Sequence, residues 1–257
     1  MSKSAFAFDL DGTVVDSRED IVSSVNLTLS FYLLDELPFE KIVSYVGNGA
    51  RVLMERVLGD NLQNINLDEA VRKFREIYLE HCVDKSYIFD GIRECFDEIK
   101  IKNHYLFLIT NKPSPHSIKI MKYFGLYEEF DEIFCQDTMK ALKPDPITIN
   151  ELLQRYSIIP QRFFMIGDSR VDVEFAKSAG VKSIMVGYGG VISYEEYIST
   201  QSNYKARDTI ELYDIIKKLV VSNWGKIILY NYIDVEKERH LELLRDSIYG
   251  EESYMPD

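Results

Sequence analysis

The sequence predicts an α/β protein: a parallel sheet with helices on both faces, and a block of helices inserted after its first strand. Three observations carry that prediction. From about residue 84 to 221, short apolar runs alternate with helix-period segments. Those runs are apolar throughout instead of at every second residue, the pattern of strands buried on two faces. Between the first such run, Ser4 to Leu10, and residue 83, the periodicity is helical and no convincing strand interrupts it.

In chain order, Ser4 to Leu10 reads as a short phenylalanine-rich strand. Ile21, Val25 and Leu29 then recur at helical spacing, as do Val71, Phe74, Ile77 and Tyr78. The helical block breaks near Leu37-Pro38, at Gly47-Asn48-Gly49 and around Asn61 to Asn66. Ile92 to Ile101 is predicted as helix and Tyr105 to Thr110 as strand. Ser117 to Phe124 is helix with Gly125 as its stop, and Glu132 to Cys135 is a short strand. Ile147 to Tyr156 (helix), Phe163 to Ile166 (strand), Asp172 to Ala179 (helix, stopped by Gly180) and Ser183 to Val186 (strand) continue the alternation. Thr209 to Val221 closes it as a helix. Residues 222–257 follow as an extension of unknown role, with an apolar run at Ile227 to Ile233 and a charged helical stretch at Val235 to Ile248.

Bulk properties exclude several roles. The chain has 257 residues, 46% hydrophobic and 28% charged, enough for a core domain plus a smaller insertion. A formal net charge of -12 argues against nucleic acid or an anionic membrane as partner. A local site for a phosphorylated small molecule stays open, since a metal and a few basic groups reverse the sign locally. Cys82, Cys95 and Cys135 are odd in number and widely spaced, which fits reduced thiols in a cytoplasmic protein. No secretory signal and no apolar stretch near the roughly 20 residues of a membrane span is expected.

In a parallel sheet, ligands bind beyond the carboxyl ends of the strands. The first strand ends in Asp9-Leu10-Asp11. The strand through Ile109 ends in Thr110-Asn111-Lys112, and the strand through Ile166 ends in Gly167-Asp168-Ser169, with Asp172 one turn later. Leu142-Lys143-Pro144-Asp145-Pro146 precedes the helix at Ile147. If the sheet forms, these groups share one rim. Carboxylates from two strand ends suit a hard cation such as Mg²⁺. A carboxylate is also a competent nucleophile toward a phosphoryl group, and a second one two residues along can move the proton. Lys143 offers charge, Thr110 a hydroxyl, and Gly12 and Asn111 possible backbone amides for phosphate. Gly47-Asn48-Gly49 before a helix can hold an anion, and Arg51 can reach a substrate carboxylate. The four histidines lack metal-ligand spacing and are assigned no chemistry.

The order DxDGTxxDS, a strand ending TN, LKPDP and GDSRVD resembles the haloacid-dehalogenase-like superfamily of phosphohydrolases, over Asp9 to Asp172. The segment Tyr45 to Leu58 is similar to the cap segment of phosphoglycolate phosphatases. The resemblance implies a Rossmann-like core (residues 1–15 and 84–221) with an all-α cap (residues 16–83). It implies Asp9 as nucleophile and Asp11 as general acid/base, with Thr110 and Lys143 holding the phosphoryl group. Mg²⁺ would lie among Asp9, Asp11, Asp168 and Asp172, with the backbone carbonyl of Asp11 as its contact and Asp172 either bound or just behind. The expected protein is a cytoplasmic Mg²⁺-dependent phosphatase of a small phosphorylated metabolite, phosphoglycolate first, as monomer or homodimer. A phosphomutase, a pyrophosphatase or a nucleotidase uses the same motifs. A non-catalytic binding protein on this fold is disfavoured because Asp9 is present.

Overall fold

Why does a chain with so many phenylalanines in its first strand bury it completely? In the computed structural model, which describes residues 3–47, 49–190 and 192–221, that strand lies in the middle of the sheet. β1 (Ala5–Phe8) pairs in parallel with β4 (Tyr105–Ile109) on one side and β6 (Phe163–Gly167) on the other. The sheet order is β5-β4-β1-β6-β7-β8, with β5 at Glu132–Phe134, β7 at Lys182–Val186 and β8 at Tyr204–Ala206. All five pairings are parallel. The chain builds β4 and β5 to one side of β1, then crosses over to build β6, β7 and β8 on the other. That reversal opens a crevice at the carboxyl ends of the central strands.

The period-2 alternation of strand side chains assigns the two faces. Phe6, Phe8, Leu106, Leu108, Phe164 and Ile166 belong to one apolar cluster. Ala5, Ala7, Phe107, Ile109, Phe163 and Met165 belong to the other. Helices α5 (Ile92–Ile101) and α10 (Thr209–Val221) pack against each other with Phe96, Ile99, Leu212 and Ile216 in the first cluster. Helices α7 (Ile147–Arg155) and α8 (Arg170–Ser178) supply Ile149, Leu152, Phe175 and Ala176 to the second.

The helical insertion forms as predicted. α1 (Arg18–Phe31), α2 (Phe39–Val43), α3 (Gly49–Leu58) and α4 (Leu67–His81) lie between two short strands, β2 (Val15–Asp16) and β3 (Tyr87–Ile88), which pair antiparallel. α4 starts where the side chain of Asn66 accepts from the amides of Asp68 and Glu69. Val25, Leu29, Met54, Leu58, Val71 and Phe74 bury the inner faces of these helices, and their cluster continues into the sheet core. Asp20 ties the insertion shut at its root. Its buried carboxylate accepts from the amides of Lys85 and Ser86 and from the Ser86 hydroxyl at 2.6–2.9 Å.

In the sheet and its flanking helices, two elements escape the sequence reading: α9 (Tyr194–Ser199) and the edge strand β8. Both are short, and β8 is only partly buried, so neither carries a strong apolar signature. α6 (Ser114–Tyr123) and α8 begin two or three residues earlier than predicted. All three cysteines are buried and unpaired. No helix of the described residues is long and apolar enough to cross a membrane. The features predicted within 222–257 lie outside the described residues.

Candidate active site

β1 continues its pairing one residue past its end. The Asp9 amide donates to the Ile166 carbonyl (2.9 Å), which delivers Asp9 beside Gly167-Asp168. The Thr110 amide donates to the Phe134 carbonyl (2.9 Å), holding Thr110 at the end of β4. Asn111 then clamps the loop that carries Lys143. Its side-chain oxygen accepts from the Lys143 amide (2.9 Å), and its side-chain nitrogen donates to the Lys143 carbonyl (3.1 Å). The Lys143 ammonium is thereby fixed 3.0 Å from Asp9 Oδ1, and it donates to Asp172 Oδ1 at 2.6 Å.

Oxygens of Asp9, Asp168 and Asp172 lie within 4.8 Å of one another. Three carboxylates against one ammonium leave an excess of two negative charges if all are ionised. Burial, reinforced by repulsion from Asp172 and Asp11 and opposed by Lys143, pushes Asp9 up to about 6. Burial, with Asp172 and Asp9, holds Asp168 well above the ordinary carboxylate range. For Lys143, burial acts to lower the pKa, yet Asp172 and Asp9 outweigh it and raise it. The Asp168 carboxylate is 3% exposed, and its Oδ2 has no hydrogen-bond partner among the described residues. These residues fit a divalent cation: hard oxygen donors, an excess charge to neutralise and an orphaned buried oxygen. Asp172 is the most occupied of the three. Its Oδ1 meets Lys143, and its Oδ2 accepts from the Ser169 amide and hydroxyl in a capping box that starts α8.

Gly12 has φ +74, and a Cβ there would stand 2.0 Å from Asp168 Oδ2. Only glycine lets the loop after β1 come this close to the acid cluster. The amide role expected of Gly12 is not what the structure has: its N–H donates to the Val15 carbonyl (2.9 Å), so it is committed to its own turn.

Asp11 is held apart from this cluster by its own partners. Lys112 Nζ (2.7 Å) and the Ser17 hydroxyl both donate to Asp11 Oδ1. Lys112 also donates to the Tyr78 hydroxyl and lies over that ring, 4.5 Å from its centroid. Burial works to lower the Lys112 pKa, but Asp11 and Tyr78 raise it overall. Sequence reasoning missed Lys112 and Tyr78. A lysine beside a proline reads as solvated, and Tyr78 reads as one more apolar position of a helix.

One cleft contains Asp9, Asp11, Thr110, Asn111, Lys143 and Asp168, with Gly47 and Gly49 on its helical side. Asn48 lies outside the described residues. Arg51 is a correction to the expected site: its side chain is 59% exposed and pairs with Asp68 on the solvent side of α3. The cleft instead holds Arg75, Tyr78 and His116, none of which the sequence marked out for chemistry.

A parallel sheet whose central strand ends in two aspartates, beneath a helical insertion, defines a class of α/β proteins with an acid cluster at the switch point. The model of the haloacid dehalogenase-like hydrolase family matches residues 6–186, and the chain belongs to that family. It is 31% identical over 189 residues to a phosphoglycolate phosphatase of Mannheimia succiniciproducens, covering 71% of this chain and 84% of that one. It is 32% identical over 218 residues to a phosphoglycolate phosphatase of Chromobacterium violaceum, covering 83% and 96%. The crystal structure of a predicted phosphoglycolate phosphatase from Haemophilus somnus 129pt matches with TM-score 0.76 at 25% identity, over 84% of this chain and 98% of the other.

Proposed function

We propose that this chain is a Mg²⁺-dependent phosphomonoester hydrolase of a small metabolite, with phosphoglycolate as first candidate. The observation that carries the reading is the meeting of Asp9, Lys143 and Asp168 in one cleft from three separate chain segments. The phosphoglycolate phosphatases among its relatives support the choice of substrate. Three buried free thiols support a reducing, cytoplasmic setting.

Asp9, Asp168 and the Asp11 carbonyl would hold the cation, with Asp172 beside them. When bound, the cation would neutralise charge on Asp9 and on the phosphoryl oxygens. Lys143 and Thr110 orient the phosphoryl group, and Lys143 stabilises its charge. An Asp9 oxygen attacks phosphorus, the ester P–O bond breaks, and Asp11 gives its proton to the leaving oxygen. Asp11 then takes a proton from a water that attacks the aspartyl phosphate, which releases inorganic phosphate and restores Asp9. Lys112 and Ser17, both on Oδ1, fix the orientation of Asp11 for both transfers. The helical insertion covers the cleft and keeps bulk water from the intermediate.

The test is inorganic phosphate release from phosphoglycolate, sugar phosphates, nucleotides and pyrophosphate, with Mg²⁺ and with chelator. Release that needs Mg²⁺ and disappears in Asp9→Asn is expected. Substantial hydrolysis of an aryl phosphate by Asp9→Asn, or full activity in excess chelator, overturns the reading. Isomer interconversion primed by a bisphosphate would assign a mutase instead.

A further inference from the structure

Three cationic side chains line the cleft: Arg75, Lys112 and Lys143. Two are committed to protein carboxylates, Lys143 to Asp9 and Asp172, and Lys112 to Asp11. Arg75, on α4, is not. None of the ion pairs among the described residues includes it. Its Nη2 donates to the neutral side-chain oxygen of Gln136 at 3.0 Å. Its Nε is buried and has no hydrogen-bond partner among the described residues.

His116 adds a second unfinished group to the same wall. The residue is 4% exposed, and its ring stacks on Tyr78 at 5.3 Å. Nε2 sits 2.9 Å from the Arg75 backbone carbonyl. A carbonyl only accepts, so the hydrogen lies on Nε2, and in the neutral ring Nδ1 is a bare acceptor. That atom is buried without a partner among the described residues. Burial, helped by the charges of Lys112 and Arg75 against the hydrogen bond to the Arg75 carbonyl, keeps the His116 pKa below its ordinary value. Asp137 feels the Arg75 charge only from beyond ion-pair distance, and a buried donor and a buried acceptor left unpaired on this wall are unfavourable unless a ligand completes them.

We propose that Arg75 reads a second anionic group on the substrate, a carboxylate close to the phosphoester, so that the site selects short phosphorylated acids over neutral phosphoesters. This rests on the phosphatase reading above and names the residue that sets its substrate class. A planar guanidinium matches a carboxylate with two parallel hydrogen bonds, and a partly desolvated site strengthens them. Gln136 accepts from one end of the guanidinium without setting its position, and the contact of His116 with the Arg75 carbonyl fixes the backbone that carries it. The free acceptor of His116 is placed for a water or hydroxyl accompanying the acid. The competing role for Arg75 is a latch, tying α4 to the core through Gln136.

The experiment compares phosphoglycolate with ethyl phosphate, which has the same chain length and no carboxylate, in the wild type, Arg75→Gln and Gln136→Ala. The wild type is expected to prefer phosphoglycolate. In Arg75→Gln the preference in kcat/KM falls roughly ten- to hundredfold, through KM and not kcat, as loss of a charge-assisted contact predicts. Gln136→Ala, which removes the latch and keeps the guanidinium, retains the preference. An unchanged preference in Arg75→Gln, or a wild type that does not discriminate, overturns the proposal while leaving the hydrolase reading intact. So does a Gln136→Ala variant that loses the preference as completely as Arg75→Gln. If the wild type turns over neither ester, phosphoglycolate fails as the substrate, and calorimetric binding with Mg²⁺ decides this proposal alone. Phosphonoacetate should then bind more tightly than ethylphosphonate to the wild type but not to Arg75→Gln, and equal binding of the two by the wild type overturns the proposal.

Discussion

Replacing Asp9 by Asn is expected to abolish turnover in the presence of Mg²⁺ and, in metal-free protein, to stabilise the fold at pH 8 by about 3 kcal/mol. Burial, with Asp172 and Asp11 adding repulsion, pushes Asp9 from 3.8 up to about 6 despite the attraction of Lys143. A folded-state pKa above the unfolded one contributes stability below about pH 4, and that contribution is lost as pH rises through about 6. A shift of roughly two units at about 1.36 kcal/mol each sets the magnitude. Asparagine has nearly the same shape and does not ionise, so the variant escapes the loss. Urea unfolding of both proteins in chelator at pH 8 and pH 4 measures it: a wide gap in favour of the variant at pH 8 that largely closes at pH 4. Excess Mg²⁺ at pH 8 should then stabilise the wild type more than the variant. A gap of equal size at both pH values, or a variant less stable than wild type at pH 8, would refute the view that the ionised Asp9 carboxylate is destabilised by its surroundings.

Two more outcomes follow from contacts outside the acid cluster. Asp20→Ala strands the amides of Lys85 and Ser86 at the root of the helical insertion. It should destabilise the protein by roughly 1–3 kcal/mol, the worth of hydrogen bonds to a charged acceptor, since the amides it frees are only partly shielded from water. A change under about 0.5 kcal/mol in urea unfolding, the size of an ordinary surface substitution, would show that Asp20 does not hold that junction. Lys112→Met removes the ammonium that orients Asp11 from the side of Tyr78. Steady-state kinetics should show kcat down roughly tenfold or more, as misplaced catalytic groups produce, and a kcat within twofold of wild type would count against that positioning role.

Much of this molecule was legible in one dimension because its physics is local. A strand covered on both faces must be apolar at every position, so β1, β4 and β6 appear as uninterrupted runs, and helices between them show a 3.6-residue period. Polar residues that end such strands, or sit in the loop before the next helix, share a rim whatever the packing details, so the order of the chain alone groups Asp9, Asp11, Thr110, Lys143 and Asp168. The short edge strand β8 was not legible, because three residues, two of them half-buried, carry little pattern.

What the amino-acid order determined by itself was the alternation of elements and the identity of the acids at the strand ends, since both follow from which residues can be buried in a sheet. Only the tertiary structure decided which cations meet those acids and what faces them across the cleft. Lys112 finds Asp11 over a sequence separation of 101 residues, and Arg75 and Tyr78 reach the rim because α4 folds over it, while Arg51 is turned outward to Asp68. Long-range charge pairing leaves no local trace, because a lysine or arginine looks the same in the chain whether it ends in solvent or against a buried carboxylate.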